Sequence, residues 1–378
     1  MNFRNYRLKD YDFKLVLLVI ALAVIGVYAV GSAESSLQNR QLMGVIGGAV
    51  AMIIISLVDY HLILKLYWII YAGNIGLLAL VLLMGESSHN AQRWLTIGGI
   101  KFQPSELAKI LLILFFAQFI MKKREKLNTF PVIAACIALL LVPFLLIHEQ
   151  PDLSTSIMVA LIFCVILYAG GISHKLIFGL MAVAIPAVAI FVALAMRPDS
   201  DFLIDYQRNR VLAFIYPEQY ATDEAYQQLN SVTAIASGML EGKGYKNNEI
   251  TSLKNGNFLS EDQTDFIFAV IGEEFGFRGT LLVIVLLFMI SLECISVARR
   301  APDTGGAIIG AGIGGLIGFQ GFINIGVATF LLPNTGLPLP FVSYGLTSLL
   351  SCFAGIGFVL NVRLQAKRGN LTSIEDIL

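Results

Sequence analysis

Ten apolar runs limit what this chain can become. They fall near residues 13–31, 41–58, 63–84, 104–121, 129–148, 153–171, 176–196, 265–291, 304–331 and 343–362. A helix needs about twenty apolar residues to cross a bilayer, and each run is near that length. No water reaches backbone amides inside hydrocarbon, so runs of this kind are expected as helices. Hydrophobic residues make up 57% of the chain and charged residues 14%, where a soluble domain carries about 25% charged. The expected fold is an all-α polytopic membrane protein of about ten transmembrane helices. It is read as a single domain, 1–378, with a large extracytoplasmic loop, 197–264, between helices 7 and 8. The first run follows a basic segment but is longer than a signal-peptide core, so it reads as an uncleaved span.

Orientation follows from the basic residues. Arg4, Arg7, Lys9 and Lys14 precede the first run, and Lys122, Lys123, Arg124 and Lys126 follow the fourth. Lys175 follows the sixth, Arg299 and Arg300 the eighth, and Arg363, Lys367 and Arg368 the tenth. With ten spans all of these share one side, and the positive-inside rule makes both termini cytoplasmic. The segments 32–40, 85–103, 148–152, 197–264 and 332–342 then face outward. The 26 basic and 26 acidic residues balance. No basic patch with interleaved aromatics is present, which argues against nucleic acid as a partner. Cys136, Cys164, Cys294 and Cys352 form no CxxC pair and read as packing residues, and the four histidines are scattered. Neither a P-loop nor a GxGxxG fingerprint occurs, so nucleotide-driven chemistry has no support.

Candidate chemistry gathers in the outward segments. From Asp201 to Thr264 no apolar run is long enough to span, and a segment of roughly sixty residues is far beyond ordinary loop length. It ends in Gln263-Thr264-Asp265-Phe266-Ile267-Phe268, which places the Asp265 carboxylate where water meets lipid, a functional candidate by default. In Gln103-Pro104-Ser105-Glu106-Leu107-Ala108-Lys109, Pro104 suits a first helical position and Glu106 the first turn. Lys109, three residues on, shares a face with Glu106. The pair either fixes helix packing or presents Lys109 to a phosphate. Asp152 reads as a helix cap. Arg208 and Arg210 offer guanidinium groups suited to phosphate or carboxylate. Ser231 to Leu240 reads as an amphipathic piece on the membrane surface. Glu273 and Glu274 read as buried carboxylates on a continuous helix, with Arg278 or Lys109 as cation. Gly306, Gly310, Gly314 and Gly318 make a small-residue packing face. Pro333, Pro338 and Pro340 stiffen the last outward loop into a shaped surface.

With these residues in place, the chain resembles the SEDS family (RodA, FtsW and SpoVE), and within it RodA most. The matching motifs are Ala91-Gln92-Arg93-Trp94-Leu95, Gln103 to Lys109, Gln150-Pro151-Asp152-Leu153, Thr264 to Gly276 and Thr335 to Gly345. Two places depart from the family's usual pattern: Leu259-Ser260-Glu261-Asp262-Gln263 ahead of Thr264, and Gly345-Leu346 where a double glycine is usual. The resemblance implies ten helices in a bacterial cytoplasmic membrane and polymerisation of lipid II on its outer face. It marks Asp265 as catalytic and Trp94, Glu106 and Lys109 as functionally important. Arg93 and Ser343 in the matching motifs, with Asp152, Arg208 and Arg210, complete the expected substrate-binding set. The implied partners are lipid II, a class B penicillin-binding protein and other elongation or division proteins, beside the bilayer itself.

The expected chemistry is an inverting displacement at an anomeric carbon. Asp265 would serve as the base, and Lys109, Arg208 and Arg210 would face the leaving pyrophosphate. A divalent cation, magnesium or manganese, is a further candidate for the charge, with Asp265 as its one evident ligand. Two other classes remain beside the enzyme: a transporter that moves lipid II without covalent chemistry, and a scaffold.

Overall fold

The computed structural model describes residues 11–88, 91–97, 100–176, 178, 179, 182, 186, 190, 205–222, 225–246 and 262–375. Among the described residues, nine helices are long and apolar enough to cross a membrane. The first half of the chain forms α1 (Phe13–Ala33), α2 (Gln38–Leu57), short α3 (Tyr60–Leu64), α4 (Tyr67–Met84), α5 (Pro104–Lys123), α6 (Phe130–His148) and α7 (Leu153–Gly170). Two helices too short to span, α8 (Asp205–Ile215) and α9 (Tyr226–Ser237), precede α10 (Ile267–Arg299), α11 (Thr304–Ala328) and α12 (Leu346–Glu375). Nine of the ten expected spans correspond to these helices. The seventh, 176–196, lies outside the described residues except for isolated positions.

Local chemistry sets the helix starts. Asp12 accepts from the Leu15 amide, Asp152 from Thr155 and Asp303 from Gly306, each relieving a donor that a helix start leaves unpaired. Pro104 stands at the first position of α5, with Glu106 in its first turn. Helix α11 is central and packs on α5, α7, α9, α10 and α12. Its glycine face lies against α10: a methyl on Gly310 would sit 2.9 Å from the Ala298 Cβ, and one on Gly318 2.9 Å from the Ser291 Oγ. Small residues let the two backbones approach, as the spacing implied.

Three features go beyond the all-α expectation. First, 85–103 carries a three-stranded antiparallel sheet: β1 (Glu86–Ser88), β2 (Ala91–Ile97) and β3 (Ile100–Phe102), in that order. Glu86 pairs with Trp94, and Leu95 with Phe102. Second, α9 docks one face on the protein. Its Gln228 side chain donates to the carbonyls of Val327 (3.0 Å) and Leu332 (2.9 Å), and Ser231 donates to that of Ala328 (2.7 Å). Two of these are among the last carbonyls of α11, which have no partner within their own helix.

Third, α10 is broken. Gly276, at φ 59° and ψ −156°, interrupts it, and that region is open essentially to glycine alone. The carbonyls of Glu273 and Glu274 ahead of the break accept from the amides of Lys243 (2.9 Å) and Gly244 (3.0 Å). Beyond it, the amides of Phe277 (2.8 Å) and Arg278 (3.3 Å) donate to Met239 and Leu240. The segment 239–244 thus satisfies both sides of the interruption. Gly238 and Gly242 permit this: a Cβ there would lie 1.9 Å from the Gly272 oxygen and 2.1 Å from that of Glu274. The cations expected for the two buried glutamates are consequently elsewhere. Glu273 pairs with Lys243 at 2.8 Å, while Arg278 pairs with exposed Glu241. Glu274 accepts from Ser32 of α1 and from the Lys246 amide.

Candidate active site

Asp265 stands in the turn that leads into α10, and the loop 333–345 holds that turn. Ser343 Oγ donates to the Thr264 carbonyl at 2.5 Å, the Tyr344 amide donates to Gln263 at 2.8 Å, and Ser343 Oγ accepts from the Leu339 amide at 2.7 Å. Ser343 is therefore a brace for the motif. The loop is no surface feature: Leu337, Leu339, Phe341 and Val342 are buried. Gln41 of α2 donates to the Ser343 carbonyl at 3.2 Å, and a methyl on Gly26 of α1 would lie 2.7 Å from the Phe341 oxygen. Gly26 is seven residues from the end of α1, about 10 Å along the helix. The loop thus dips between the helices, where irregular backbone is tolerated because protein surrounds it.

Gly336 marks the approach to the carboxylate. Its φ of +74° suits glycine, and a Cβ there would sit 3.2 Å from Asp265 Oδ2 and 3.8 Å from Arg210 Nη1. Carboxylate and guanidinium therefore flank one point. Arg210 also donates to the Asn334 carbonyl at 3.4 Å. Arg208 and Arg210 lie on α8 and not on an irregular loop; residues two apart on a helix face different ways. Arg210 is brought beside Asp265. The Arg208 Nε is buried and has no hydrogen-bond partner.

A second cluster joins the sheet to α5 and α7. Arg93 of β2 donates through Nε to the Gln150 carbonyl (3.2 Å) and through Nη2 to that of Pro151. Asp152 accepts from Thr155 Oγ1 at 2.8 Å and lies 3.9 Å from Arg93 Nη1. These two residues fasten the 150–152 turn. The turn reaches the first cluster through Ser154, whose hydroxyl donates to the Thr335 carbonyl. Trp94, next to Arg93 on β2, is half-buried.

Glu106 and Lys109 are deeper than expected. They are 2% and 1% exposed, their charged atoms 2.6 Å apart. Lys109 also donates to Gln320 Oε1 of α11 at 2.8 Å, and it borders a cavity of about 10 Å³ lined by Leu112, Phe116, Leu140, Val159 and Ile162. That is room for about one water and none for a phosphate. Among the described residues no three His, Cys, Asp or Glu side chains converge, and a neighbour placed beside Asp265 is a cation. Sequence reasoning missed Gln320 and Asn324 of α11, whose polar character inside an apolar run was the available signal.

Membrane-spanning helices around a buried ion pair, with a carboxylate and an arginine at one end of the bundle, define a polytopic membrane protein with a polar site at its edge. The chain belongs to the FtsW/RodA/SpoVE family, whose model, described as "Cell cycle protein", matches residues 10–368. It is 33% identical over 379 residues to the probable peptidoglycan glycosyltransferase FtsW of Geobacter metallireducens, covering 95% of this chain and 96% of that one. To the peptidoglycan glycosyltransferase MrdB of Escherichia coli it is 34% identical over 363 residues, 94% of each. Among solved structures it is similar to a chain of a peptidoglycan synthase complex that coordinates polymerization and crosslinking. There the TM-score is 0.77 and the identity 28%, over 94% of this chain and 98% of the other. The rod shape determining protein RodA of Thermus thermophilus gives a TM-score of 0.67 and 28% identity, over 93% and 96%.

Proposed function

We propose that this chain is a peptidoglycan glycosyltransferase that polymerises lipid II at the outer face of a bacterial cytoplasmic membrane, with both termini inside. The observation that carries the reading is the juxtaposition of the Asp265 carboxylate and the Arg210 guanidinium across Gly336. The named activities of relatives that align over nearly the whole chain support it.

Lipid II holds its sugar through an α-linked pyrophosphate, and the polymer is β-linked, so the anomeric carbon inverts. Asp265 takes the proton of the acceptor hydroxyl as that oxygen bonds to the anomeric carbon. The bond to pyrophosphate breaks and undecaprenyl pyrophosphate departs with the electron pair. Arg210 stabilises the charge that collects on the leaving group, with Arg208 on the next face of α8. Such a leaving group needs no acid. Lys109 does not reach it, being engaged by Glu106 and Gln320. Trp94 offers an aromatic face to the substrate, while Arg93, Asp152 and Ser343 hold the walls. A class B penicillin-binding protein with elongation or division proteins is the fitting assembly.

The test is purified protein and lipid II in detergent micelles. No second compartment exists there, so transport cannot yield product. Glycan polymer supports the reading; intact lipid II from an active membrane preparation, together with lipid II movement across vesicles, contradicts it.

A further inference from the structure

The prolines of the re-entrant loop leave it short of backbone partners. Pro333, Pro338 and Pro340 carry no amide hydrogen, yet the loop lies among helices, where an unpaired carbonyl is costly. Two side chains one turn apart on α11 supply the missing donors. Gln320 Nε2 donates to the Pro338 carbonyl at 2.9 Å. Asn324 Nδ2 donates to two carbonyls, that of Leu337 at 2.7 Å and that of Asp265 at 2.8 Å. Both residues are 1% exposed.

The other ends of these amides are as informative. Gln320 Oε1 accepts from Lys109 Nζ at 2.8 Å, and Lys109 in turn meets Glu106 at 2.6 Å. Asn324 Oδ1 has no partner. Turning that amide over would set its oxygen against two carbonyl oxygens, so its orientation is determined. The position uses both hydrogens of the amide and leaves the acceptor idle, an arrangement that asparagine supplies and aspartate cannot.

We infer that Gln320 and Asn324 are positioning residues for the base, coupling the buried Glu106–Lys109 pair through the re-entrant loop to the main chain of Asp265. The inference rests on Asp265 being the base. It gives the ion pair a task that needs no contact with substrate: Lys109 orients Gln320, Gln320 holds Pro338, and Asn324 ties Leu337 and Asp265 together. Neither amide touches the reacting atoms. Misplacement of a catalytic group by about 1 Å can cost roughly 10²-fold in rate.

The experiment takes the full-length protein and lipid II, with Asn324→Asp, Gln320→Met and Lys109→Met. Asn324→Asp keeps the shape and removes both donors; Gln320→Met keeps the length and removes donor and acceptor. The expected result is a kcat lowered about 10- to 100-fold with KM for lipid II little changed. In Asn324→Asp and Gln320→Met, hydrogen exchange should quicken in peptides covering 262–268 and 336–344 and nowhere else. Gln320→Met and Lys109→Met together should cost no more than the worse single change, because they break one chain. If Asn324→Asp does not fold, Asn324→Gln, which keeps both hydrogens, serves instead and should retain more activity than Asn324→Leu. Wild-type kcat in both amide variants, a rise in KM equal to the loss in kcat/KM, or additive effects of Gln320→Met and Lys109→Met would each overturn the coupling. If wild type itself makes no polymer while exchange quickens as described, the glycosyltransferase reading fails and the mechanical link stands.

Discussion

Glu106 and Lys109 neutralise one another at 2.6 Å with almost no exposure. Removing one member of such a pair strands the other, at a cost of about 3–5 kcal/mol. Glu106→Gln should therefore lower the thermal midpoint in detergent sharply, and Glu106→Leu with Lys109→Met should recover part of the loss. Equal midpoints for wild type and Glu106→Gln would contradict the burial. At the opposite end of the bundle, His61 lies 2.8 Å from Asp59 and 2.7 Å from Asp303. Its hydrogen bond to Asp303 lifts its pKa above the usual 6.5, against burial, which lowers it. Asp303 is depressed: burial would raise it, and hydrogen bonds from His61, Tyr60 and the Gly306 amide outweigh that. A raised histidine pKa means that the folded state holds the proton more tightly. The contribution is full below the unfolded value and fades as pH rises through the folded one. The midpoint gap between wild type and His61→Gln should thus be larger near pH 6 than near pH 9, though small, since the ring is 40% exposed. A gap that widens with pH would contradict this assignment.

Among the elements, the break in α10 joins the segment 239–244 to the helix that begins beside Asp265. Gly276 sits at φ 59°, where a side chain costs about 1–3 kcal/mol, and a Cβ would lie 2.5 Å from the Gly242 nitrogen. Gly276→Ala should lower the midpoint by several degrees and speed proteolysis within 238–246; unchanged cleavage there would show that the segment does not depend on the break. Apolar run length disclosed the spanning helices because bilayer thickness leaves little choice. It was silent about the break, since a glycine that interrupts a helix and one that packs it look alike where hydropathy continues through Phe275-Gly276-Phe277. The sheet had a signal in Gly98-Gly99, which separates two stretches of alternating character. The docking of α9 had none, because Gln228 and Ser231 find their partners roughly a hundred residues away in the chain.

At the scale of the molecule, the candidate site is assembled from α5, α7, α8, α10, α11 and the re-entrant loop, each bringing one or two polar residues. The motif residues Asp265, Glu106, Lys109, Arg93 and Asp152 were legible because charge beside or within apolar sequence is costly and stands out. Their roles were less so. Arg93 commits its donors to the carbonyls of residues 150 and 151, and Lys109 commits its own inside the protein. Arg210 lies beside Asp265, a placement that only the tertiary fold could decide. In the proposed reaction catalysis turns on one carboxylate, that of Asp265. The most direct measurement is glycan polymerisation from purified lipid II by wild type and by folded Asp265→Ala, each with and without a co-purified transpeptidase. Polymer from wild type and none from Asp265→Ala in either condition is the predicted result. Equal polymer from both would contradict it and place the base elsewhere.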